Sequence, residues 1–592
     1  MLLLLCTSAN ATVFVDWNKP SGGDGTTWAT AFQRVQDGLN AATAPNEVWV
    51  ATGSYSENVI LRPGIGLYGG FIGTETIRSE RDPAGNLTTI DGHQAGNAVI
   101  GANGAVIDGF TITNGKPSIN GGGVYCAYVS PTISNCTIAL NTGAGVYCYQ
   151  SSPIITNCRI TENTDKGIYC NTGGNASVTD CLIADNSAVQ YAGIYCYSAT
   201  PTIKRCIITG NQTTGTDARG GGISFVSCTS PITVENCVIA GNSASMGGGV
   251  YLSLSSPSFV NCTITDNVAV SSGGNAYLVN SNSVFRNTIV SYGTAPIGGA
   301  VYKNTSSNPT FDHSDFWLNG DQPFEPTSWD PTLGGDNRLY NPLFVDRASG
   351  NYHLMSVSGC IDAGTNVSAP IDDLDGNPRP QGAGFDIGAY EYGPAPSLRT
   401  IVEIKRERDG ERVAISDVVI SGAFDGFFYI EQQDRVAGIR VVWPTSVPMN
   451  HVVSVSGFLE TRNGVERQIR ADGVTVGDPD GIEALGMGNR SLIGGNFEYN
   501  AGPPASGQMG KVGTGPNNIG LLIRTWGRVI PATASSFVIE DGSGVGPTVI
   551  LPAEVTPPAE GRFVRVTGIS SIEAGPASVI LVPTSSDVIP VD

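Results

Sequence analysis

Short apolar runs separated by glycine, asparagine, serine or proline repeat along residues 121–290. The phrase Gly-Val-Tyr-Cys occurs at 123–126 and 145–148, Gly-Ile-Tyr-Cys at 167–170 and 193–196, and a looser form at 249–252. A second phrase, Asn-Cys-Thr-Ile at 135–138, returns in modified form at 157–160, 180–183, 205–208, 236–239 and 261–264. A period of roughly 22 to 26 residues, stretched once to about 31, indicates a solenoid of stacked repeats.

Each repeat contains short runs of β type and leaves no room for a helix. We define a rung as one full turn of the solenoid. Three short strands per rung, each pairing with its copy in the next rung, would form a parallel β-helix. A leucine-rich repeat would need a lattice of leucines, and a propeller blade needs about 40 residues or more. Counting from Val48 to Val301 predicts roughly ten rungs and a column on the order of 50 Å long.

Two inward columns of cysteine and one of asparagine follow from this register. The first thiol column is Cys126, Cys148, Cys170 and Cys196, and the second is Cys136, Cys158, Cys181, Cys206, Cys237 and Cys262. We expect stacked, buried thiols, with an occasional disulfide or a metal site as the alternatives. The asparagine ladder, expected to satisfy backbone groups at one corner, is Asn141, Asn163, Asn186, Asn211, Asn242 and Asn267.

An outward stripe of tyrosines should lie between the core positions of the first phrase. Its members are Tyr125, Tyr147, Tyr169, Tyr195, Tyr251 and Tyr277, and Ser224 interrupts it. Tyr125, Tyr147, Tyr169 and Tyr195 are therefore candidate substrate-binding residues that could hold sugars through ring contacts. The favoured interpretation is that the rings stack across rungs and stiffen the sheet.

The regions on either side of the repeats predict further domains. Residues 1–11 are typical of a signal peptide, although they lack a basic start, as a truncated signal would. Residues 12–46 predict a cap with a helix opened by a Thr30–Gln33 capping box. The β-helix should span 47–320, a closing segment 321–392 and a linker 393–397. Two similar all-β modules, at 398–476 and 520–592, resemble small OB-like barrels separated by a connector at 477–519, with a short sandwich as the alternative.

Charge and composition narrow the class of partner. The formal net charge is -20, and only 14% of residues are charged. An acidic surface repels DNA, RNA and anionic membranes, so we expect no nucleic acid partner. The apolar run near the start is too short to span a bilayer. With the signal-like start, this composition favours a secreted or cell-surface protein, which we expect to be a monomer.

The sequence resembles a known family in its opening motifs and its repeats. The stretch Gly-Gly-Asp-Gly-Thr-Thr-Trp-Ala-Thr-Ala-Phe at 22–32, the stretch Tyr-Gly-Gly-Phe-Ile-Gly-Thr-Glu at 68–75 and the Gly-Val-Tyr-Cys rungs are similar to bacterial secreted right-handed parallel β-helix proteins of the pectin-lyase-like superfamily. Residues 341–354, 361–364, 375–380 and 386–392 are similar to a choice-of-anchor Q segment. The resemblance implies an all-β, right-handed β-helix, but this fold hosts lyases, hydrolases, adhesins and inert scaffolds.

Catalytic signatures are scarce, and one charged cluster stands out. The four histidines are isolated, and the motifs of polygalacturonases and pectate lyases have no matching positions. The cluster lies in two successive rungs and comprises Arg159, Glu162, Asp165, Lys166, Asp180 and Asp185. Glu162 and Asp185 precede equivalent ladder asparagines, so their carboxylates could approach the separation of about 5 to 5.5 Å found in retaining glycosidases. The candidate catalytic residues are thus Glu162, Asp185, Arg159 and Lys166, although an exposed turn also accounts for such charges.

No cofactor is expected, with calcium as the exception. Asp372, Asp373, Asp375 and Asn377 surround Gly376 with the oxygen-rich spacing of a Ca²⁺ loop. The alternative is a structural turn in which Arg379 pairs with Asp386.

Two hypotheses follow. The first is a non-catalytic β-helix protein that binds extracellular polysaccharide or another cell-surface component, or serves as a scaffold on it. The alternative is a polysaccharide lyase or glycoside hydrolase that acts through the charged cluster.

Overall fold

The computed structural model describes residues 12–118, 120–393, 397–462, 466–487, 489, 519–533, 535–543, 546–552, 555–572 and 578–591. The chain forms two compact units, Met1–Gly393 and Pro394–Asp592. The predicted signal peptide and most of the connector lie outside the described residues. Among the described residues, no helix has the length and apolar composition needed to cross a bilayer.

The first unit is a parallel β-solenoid with three faces, which confirms the predicted fold class. We name the sheet that carries the tyrosine stripe the tyrosine face, and the other two large sheets face 1 and face 2. In each rung the chain passes from the tyrosine face to face 1 and then to face 2. Face 1 has twelve strands: Thr12–Val15, Glu47–Ala51, Gly66–Phe71, Val106–Asp108, Thr132–Ser134, Ile154–Thr156, Ser177–Thr179, Thr202–Lys204, Thr233–Glu235, Ser258–Val260, Val284–Arg286 and Thr310–Asp312. Its ten strands from Glu47 to Arg286 agree with the number of rungs predicted for that part of the chain.

The other two large faces have eleven strands each. Face 2 comprises Gly53–Ser56, Thr88–Asp91, Thr111–Thr113, Thr137–Ala139, Arg159–Thr161, Leu182–Ala184, Ile207–Thr209, Val238–Ala240, Thr263–Thr265, Ile289–Ser291 and Asp315–Trp317. The tyrosine face comprises Val59–Ile60, Val99–Ile100, Gly122–Ala127, Ala144–Tyr149, Ile168–Asn171, Ile194–Tyr197, Ile223–Val226, Val250–Ser253, Ala276–Val279, Val301–Lys303 and Phe324–Glu325. A fourth, smaller sheet comprises Ser187–Ala188, Gln212–Thr213, Ser243–Met246 and Val268–Ser272.

The predicted inward columns are confirmed. Cys126, Cys148, Cys170 and Cys196 pair in register on neighbouring strands, and the twelve cysteines of the described residues are all buried free thiols. In the asparagine ladder, each side-chain amide donates to the side-chain oxygen of the next rung, at 2.9–3.0 Å from Asn141 to Asn267. These bonds satisfy buried polar groups at a corner that has no access to water.

The N-terminal cap contains the predicted helix, but the predicted start is wrong. The helix spans Val35–Ala41, whereas Thr30 ends a short 3₁₀ turn, Trp28–Thr30. The first helical amides are bound by Glu57, which accepts from Val35 N at 2.7 Å and Gln36 N at 3.2 Å. A carboxylate from the solenoid therefore replaces the local capping box and favours the helix N-terminus electrostatically.

The closing segment has two parts. Near the last rungs, Trp329 packs against Phe311 and Phe324 and covers the upper end of the core. The rest folds back along the outer side of face 2, where Phe344, Tyr352 and Ile387 form an apolar cluster with its strands. This part contains the antiparallel pair Phe344–Asp346 and Asn351–Leu354 and the 3₁₀ turns Pro331–Leu333 and Arg347–Ser349. The choice-of-anchor Q assignment stays a prediction.

The second unit contains two rings of strands with the same order and directions. The first is a closed barrel of Arg412–Phe424, Phe427–Glu431, Gly438–Val442, Glu466–Pro479 and His451–Arg462. The second ring is Leu522–Thr533, Ser536–Glu540, Thr548–Ile550, Ser578–Leu581 and Phe563–Ile572, with Leu485–Gly486 and Val588–Pro590 at its edges. In each ring one pair of neighbours is parallel, Gly438–Val442 with Glu466–Pro479 and Thr548–Ile550 with Ser578–Leu581, and the other pairs are antiparallel. The OB-like classification stays a prediction.

Three smaller helical elements complete the described structure. Arg78–Glu80 is a 3₁₀ turn of the first unit. In the second unit, Ile401–Ile404 is a single helical turn with a capping box from Thr400, and Ser585–Asp587 is a 3₁₀ turn.

Candidate functional site

The tyrosine face presents a nearly continuous column of aromatic rings. Tyr125 stacks on Tyr147 with ring centroids 5.4 Å apart, and Tyr169 stacks on Tyr195 at 4.9 Å. Between these pairs, Tyr147 meets Tyr169 edge to face at 5.1 Å. Higher in the solenoid, Tyr251, Tyr277 and Tyr302 continue the stack at 5.6 and 4.4 Å. The parallel in-register strands hold successive tyrosines one strand spacing apart, so the stacking that the sequence favoured is present.

The stacking decides what these rings can offer to a ligand. A ring with neighbours on both sides has its faces covered and presents its edge and hydroxyl group. Burial raises the pKa of Tyr169 to about 12, so its phenol stays neutral and can both donate and accept a hydrogen bond. Tyr147 Oη already accepts from Asn171 Nδ2 at 3.1 Å. The sugar-binding role predicted for Tyr125, Tyr147, Tyr169 and Tyr195 stays a prediction, and hydroxyl contacts suit it better than face contacts.

Most of the tyrosine face lacks carboxylates; only its last strand, Phe324–Glu325, carries one, Glu325, in register with Tyr302. The ten strands from Val59–Ile60 to Val301–Lys303 contain no Asp or Glu, although the chain has 52 acidic and 32 basic residues. Two cations flank the column instead. Lys166 Nζ lies 5.5 Å from the Tyr169 ring centroid, and the Arg219 guanidinium lies 5.6 Å from the Tyr251 centroid. These ten strands are therefore aromatic and hydroxyl-rich, with the Lys166–Asp165 ion pair and the Arg219 guanidinium at their margin.

Sequence reasoning missed one member of the column. Ser224 pairs in register with Tyr195 below it and Tyr251 above it, so the expected ring is absent there. Tyr191, which lies outside the repeated phrase, places its ring 4.2 Å from Tyr195 with the planes 5° apart. The signal in the sequence was that Tyr191 lies four residues before a column tyrosine, where later rungs have glycine: Gly220, Gly247, Gly273 and Gly298.

The structure separates the predicted charged cluster into parts. Asp180 forms a two-bond ion pair with Arg205, and Lys166 pairs with Asp165 at 2.6 Å. Glu162 and Asp185 occupy equivalent exposed turns, since Glu162 N donates to Ala184 O of the next rung at 3.2 Å.

The candidate catalytic residues do not converge with one another in these contacts. Glu162, Asp185 and the exposed Arg159 of face 2 form no side-chain hydrogen bond or ion pair with any described residue. No contact therefore places a general acid and a base around one point, and the catalytic role of Glu162, Asp185, Arg159 and Lys166 stays a prediction.

The predicted calcium ligands make contacts within the protein. Asp373 accepts the backbone amides of Asp375 and Asn377 at 2.9 and 2.8 Å through one oxygen, and its other oxygen accepts from Glu391 N at 2.9 Å. Asp375 contacts His353 Nε2 at 2.7 Å.

The remaining candidate ligand, Asp372, is also occupied. It accepts from Arg205 Nη1 at 3.0 Å. Among the described residues, no group of three or more His, Cys, Asp or Glu side chains is arranged to hold a metal ion. Calcium at Asp372, Asp373, Asp375 and Asn377 stays a prediction.

The structural turn of the alternative hypothesis is present, but with a different ion pair. Arg379 pairs with Glu391 rather than with Asp386, and both side chains are fully buried. Arg379 also donates to Gly388 O and Ala389 O at 3.0 and 2.9 Å. Asp386 instead accepts the backbone amide of Asp362 at 2.8 Å.

Comparison with known proteins supports the fold. The family model described as right handed beta helix region matches residues 84–229 and 213–337, within the solenoid. No curated protein matches the chain.

Solved structures with a similar fold share little sequence with the chain. Pectate lyase Pel9A is 13% identical, covers 65% of this chain and 97% of its own, and has a TM-score of 0.41. XylC in complex with xylose is 9% identical, with coverages of 64% and 99% and a TM-score of 0.37. The tailspike protein gp49 from Acinetobacter baumannii bacteriophage Fri1, a capsular polysaccharide depolymerase, is 10% identical, with coverages of 73% and 77% and a TM-score of 0.31. These similarities concern the fold alone.

Proposed function

We propose that this chain is an extracellular, secreted or cell-surface protein that binds polysaccharide along its tyrosine face without cleaving it. The observation that carries the proposal is the long column of tyrosines on ten successive strands, Val59–Ile60 to Val301–Lys303, that contain no Asp or Glu in a chain of net charge -20. Tyrosine offers large contact area and a hydroxyl group at a low cost in side-chain entropy, which suits a ligand rich in hydroxyl groups.

The register of the solenoid supports a long, repetitive ligand. Column tyrosines recur at the strand spacing of about 4.8 Å, so their hydroxyl groups form a regular row along the axis. The stacked rings hold each other in place before binding, which reduces the entropy lost on association. A linear glycan has repeating hydroxyl groups and can extend along such a row, whereas a compact ligand would use only part of it.

Binding assays with polysaccharides test the proposal. Purified protein is run in native gels containing a neutral glycan (xylan) or an acidic one (polygalacturonate), with and without Ca²⁺, and its retardation is measured. We expect retention on at least one glycan and a loss of about tenfold in affinity for Tyr169→Ala/Tyr195→Ala, equivalent to about 1.4 kcal/mol. The exposed Tyr340, outside the column, provides the control variant Tyr340→Ala, which should bind like the wild type. Equal losses in both variants would remove the tyrosine face from the proposal.

The second candidate function is a polysaccharide lyase or glycoside hydrolase. It is favoured by the exposed, unpaired carboxylates of Glu162 and Asp185 in adjacent rungs. The same incubations are followed by unsaturated uronate absorbance and by new reducing ends. Product formed by the wild type and lost in Glu162→Gln/Asp185→Asn would establish the enzyme and overturn the non-catalytic proposal. Retention without product in both proteins is the expected result.

A further inference from the structure

The tyrosine column contains one gap, and a ring from outside the repeat fills it. Ser224 occupies the column position between Tyr195 and Tyr251. The Tyr191 ring lies 4.2 Å from the Tyr195 ring and 5.9 Å from the Tyr251 ring. Together these distances span about two strand spacings of about 4.8 Å. Tyr191 therefore occupies the space of the missing column ring.

The backbone at Tyr191 has a positive φ, as some other turn residues of this chain do, such as Tyr128 and Tyr292. The φ of Tyr191 is 59°, in the left-handed region that bulky side chains rarely adopt. The equivalent positions of the next four rungs are Gly220, Gly247, Gly273 and Gly298, with φ between 64° and 71°. Glycine adopts this conformation without strain, whereas tyrosine does not. The chain thus holds a tyrosine where its next four rungs have glycine.

The surroundings of the gap include a buried hydroxyl group without a partner and a guanidinium group without a carboxylate partner. Ser224 is fully buried, and its hydroxyl group makes no hydrogen bond with any described residue. Arg219 is exposed beside the gap, with its guanidinium over the Tyr251 ring; it forms no salt bridge with any described residue and donates to the hydroxyl groups of Tyr191 and Tyr251. A buried hydroxyl without a partner is unfavourable and marks a position that a ligand group can satisfy.

We propose that this gap is the subsite for one sugar ring of the bound glycan, and that Tyr191 is a built-in substitute that the ligand displaces. The inference rests on the proposed glycan binding and specifies where a ring face becomes available. With Tyr191 rotated away, Tyr195 and Tyr251 face each other across a slot one ring thick. The apolar faces of a sugar ring fit between them, and its hydroxyl groups reach Ser224 and Arg219.

Displacement is feasible because it needs a side-chain rotation only. The Tyr191 backbone amide donates to Arg219 O at 2.8 Å, and Ala192 N donates to Gly220 O at 3.0 Å. These bonds belong to the ladder between rungs and do not involve the ring, so rotation breaks only side-chain contacts, namely the stack on Tyr195 and the hydrogen bond from Arg219 to the Tyr191 hydroxyl group. The ligand can bind only when the Tyr191 ring has left the slot. The apparent affinity is therefore the intrinsic affinity multiplied by the fraction of molecules in which the slot is open.

Two variants act on the slot in opposite directions. Tyr191→Ala empties it, and we expect retention on the glycan to increase several-fold because no ring has to be displaced. Tyr191→Gly/Ser224→Tyr gives these two successive rungs the glycine and the tyrosine that the following rungs have, and it fills the slot permanently. We expect this regular variant to lose at least tenfold in affinity while its thermal midpoint equals or exceeds that of the wild type. Tyr128→Ala is the matched control, because Tyr128 is exposed, has φ 60° and lies outside the column.

Affinity is measured by retardation in native gels containing xylan or polygalacturonate, and folding by circular dichroism and thermal unfolding. If the folded regular variant binds like the wild type, the slot is not the subsite, although the proposed function stands. If Tyr191→Ala loses affinity like the regular variant, Tyr191 is a contact residue and displacement is refuted. If neither the wild type nor Tyr191→Ala is retained on either glycan, the proposed function fails and the inference fails with it.

Discussion

A buried carboxyl group beneath the closing segment should make the stability of the first unit depend on pH. Asp315 on face 2 is fully buried. Its Oδ1 accepts from Tyr340 N at 2.8 Å, and its Oδ2 makes no hydrogen bond with any described residue. Burial raises the pKa of Asp315 from 3.8 to about 7, so the folded protein favours the neutral form.

The sign of the effect follows from this pKa shift. The folded pKa lies above the unfolded one, so the stabilising contribution is complete below 3.8 and is lost as the pH rises to about 7. Between pH about 5 and pH about 8 the free energy of unfolding falls over about two pH units, up to the folded pKa. At about 1.4 kcal/mol per pH unit, the fall is about 3 kcal/mol. Burial and the nearby Glu391 carboxylate raise the pKa of Asp386 to about 7 as well, which adds to the trend in the same direction.

The variant Asp315→Asn isolates this contribution. Asparagine is neutral at every pH and keeps an oxygen for Tyr340 N, while its unpaired amide group costs about 1 to 3 kcal/mol at every pH. We therefore expect its free energy of unfolding, relative to the wild type, to improve by about 3 kcal/mol between pH about 5 and pH about 8.

Urea unfolding at the two pH values measures this difference, and hydrogen exchange of residues 335–392 locates it. Asp321→Asn is the control, because Asp321 is exposed, and it should show no such change. A variant whose effect is the same at both pH values would refute the reasoning.

Three further predictions concern the columns and the closing segment. Asn163→Ala should lower the free energy of unfolding by about 3 kcal/mol or more, because it removes the hydrogen bond to Ile138 O at 3.0 Å and the hydrogen bonds along the asparagine ladder. Urea unfolding measures this loss, and Thr164→Ala, at an exposed neighbouring residue, should change the free energy little. The twelve described thiols should not react with a thiol reagent in the native protein and should all react in denaturant, and fast reaction of several native thiols would contradict their burial. A chelator should leave the thermal midpoint unchanged because Asp373 already accepts backbone amides, whereas a rise with Ca²⁺ that Asp375→Asn abolishes would support the calcium prediction.

The columns could be predicted from sequence because a parallel in-register repeat makes position in the period equivalent to position in space. Cys148 lies beside Cys126 and Cys170 because all three hold the same place in their repeats. The ladder of Asn163 follows for the same reason. No long-range contact had to be guessed, since the strand spacing fixes every neighbour once the period is known.

The closing segment could not be predicted in this way because its contacts are non-local. Arg379 donates to Gly388 and Ala389, and it pairs with Glu391 rather than with the predicted Asp386. Asn236, more than a hundred residues earlier, donates to the Asp372 carbonyl at 2.7 Å. Spacing around Gly376 suggests a turn rich in oxygen, but it does not show which protein donors already occupy those oxygens.

The gap in the tyrosine column could be predicted from the sequence only in part. The absence of tyrosine at Ser224 is visible in the repeat, whereas its replacement by Tyr191 becomes visible only when the glycine positions are aligned as well. A regular rung would need only glycine at 191 and tyrosine at 224, and the neighbouring rungs already use both residues. The chain departs from its own pattern at both positions at once, and it keeps the stack while accepting a strained backbone. Regular residues would give the same stack without that strain, and this is why we propose that the Tyr191 ring is there to be removed.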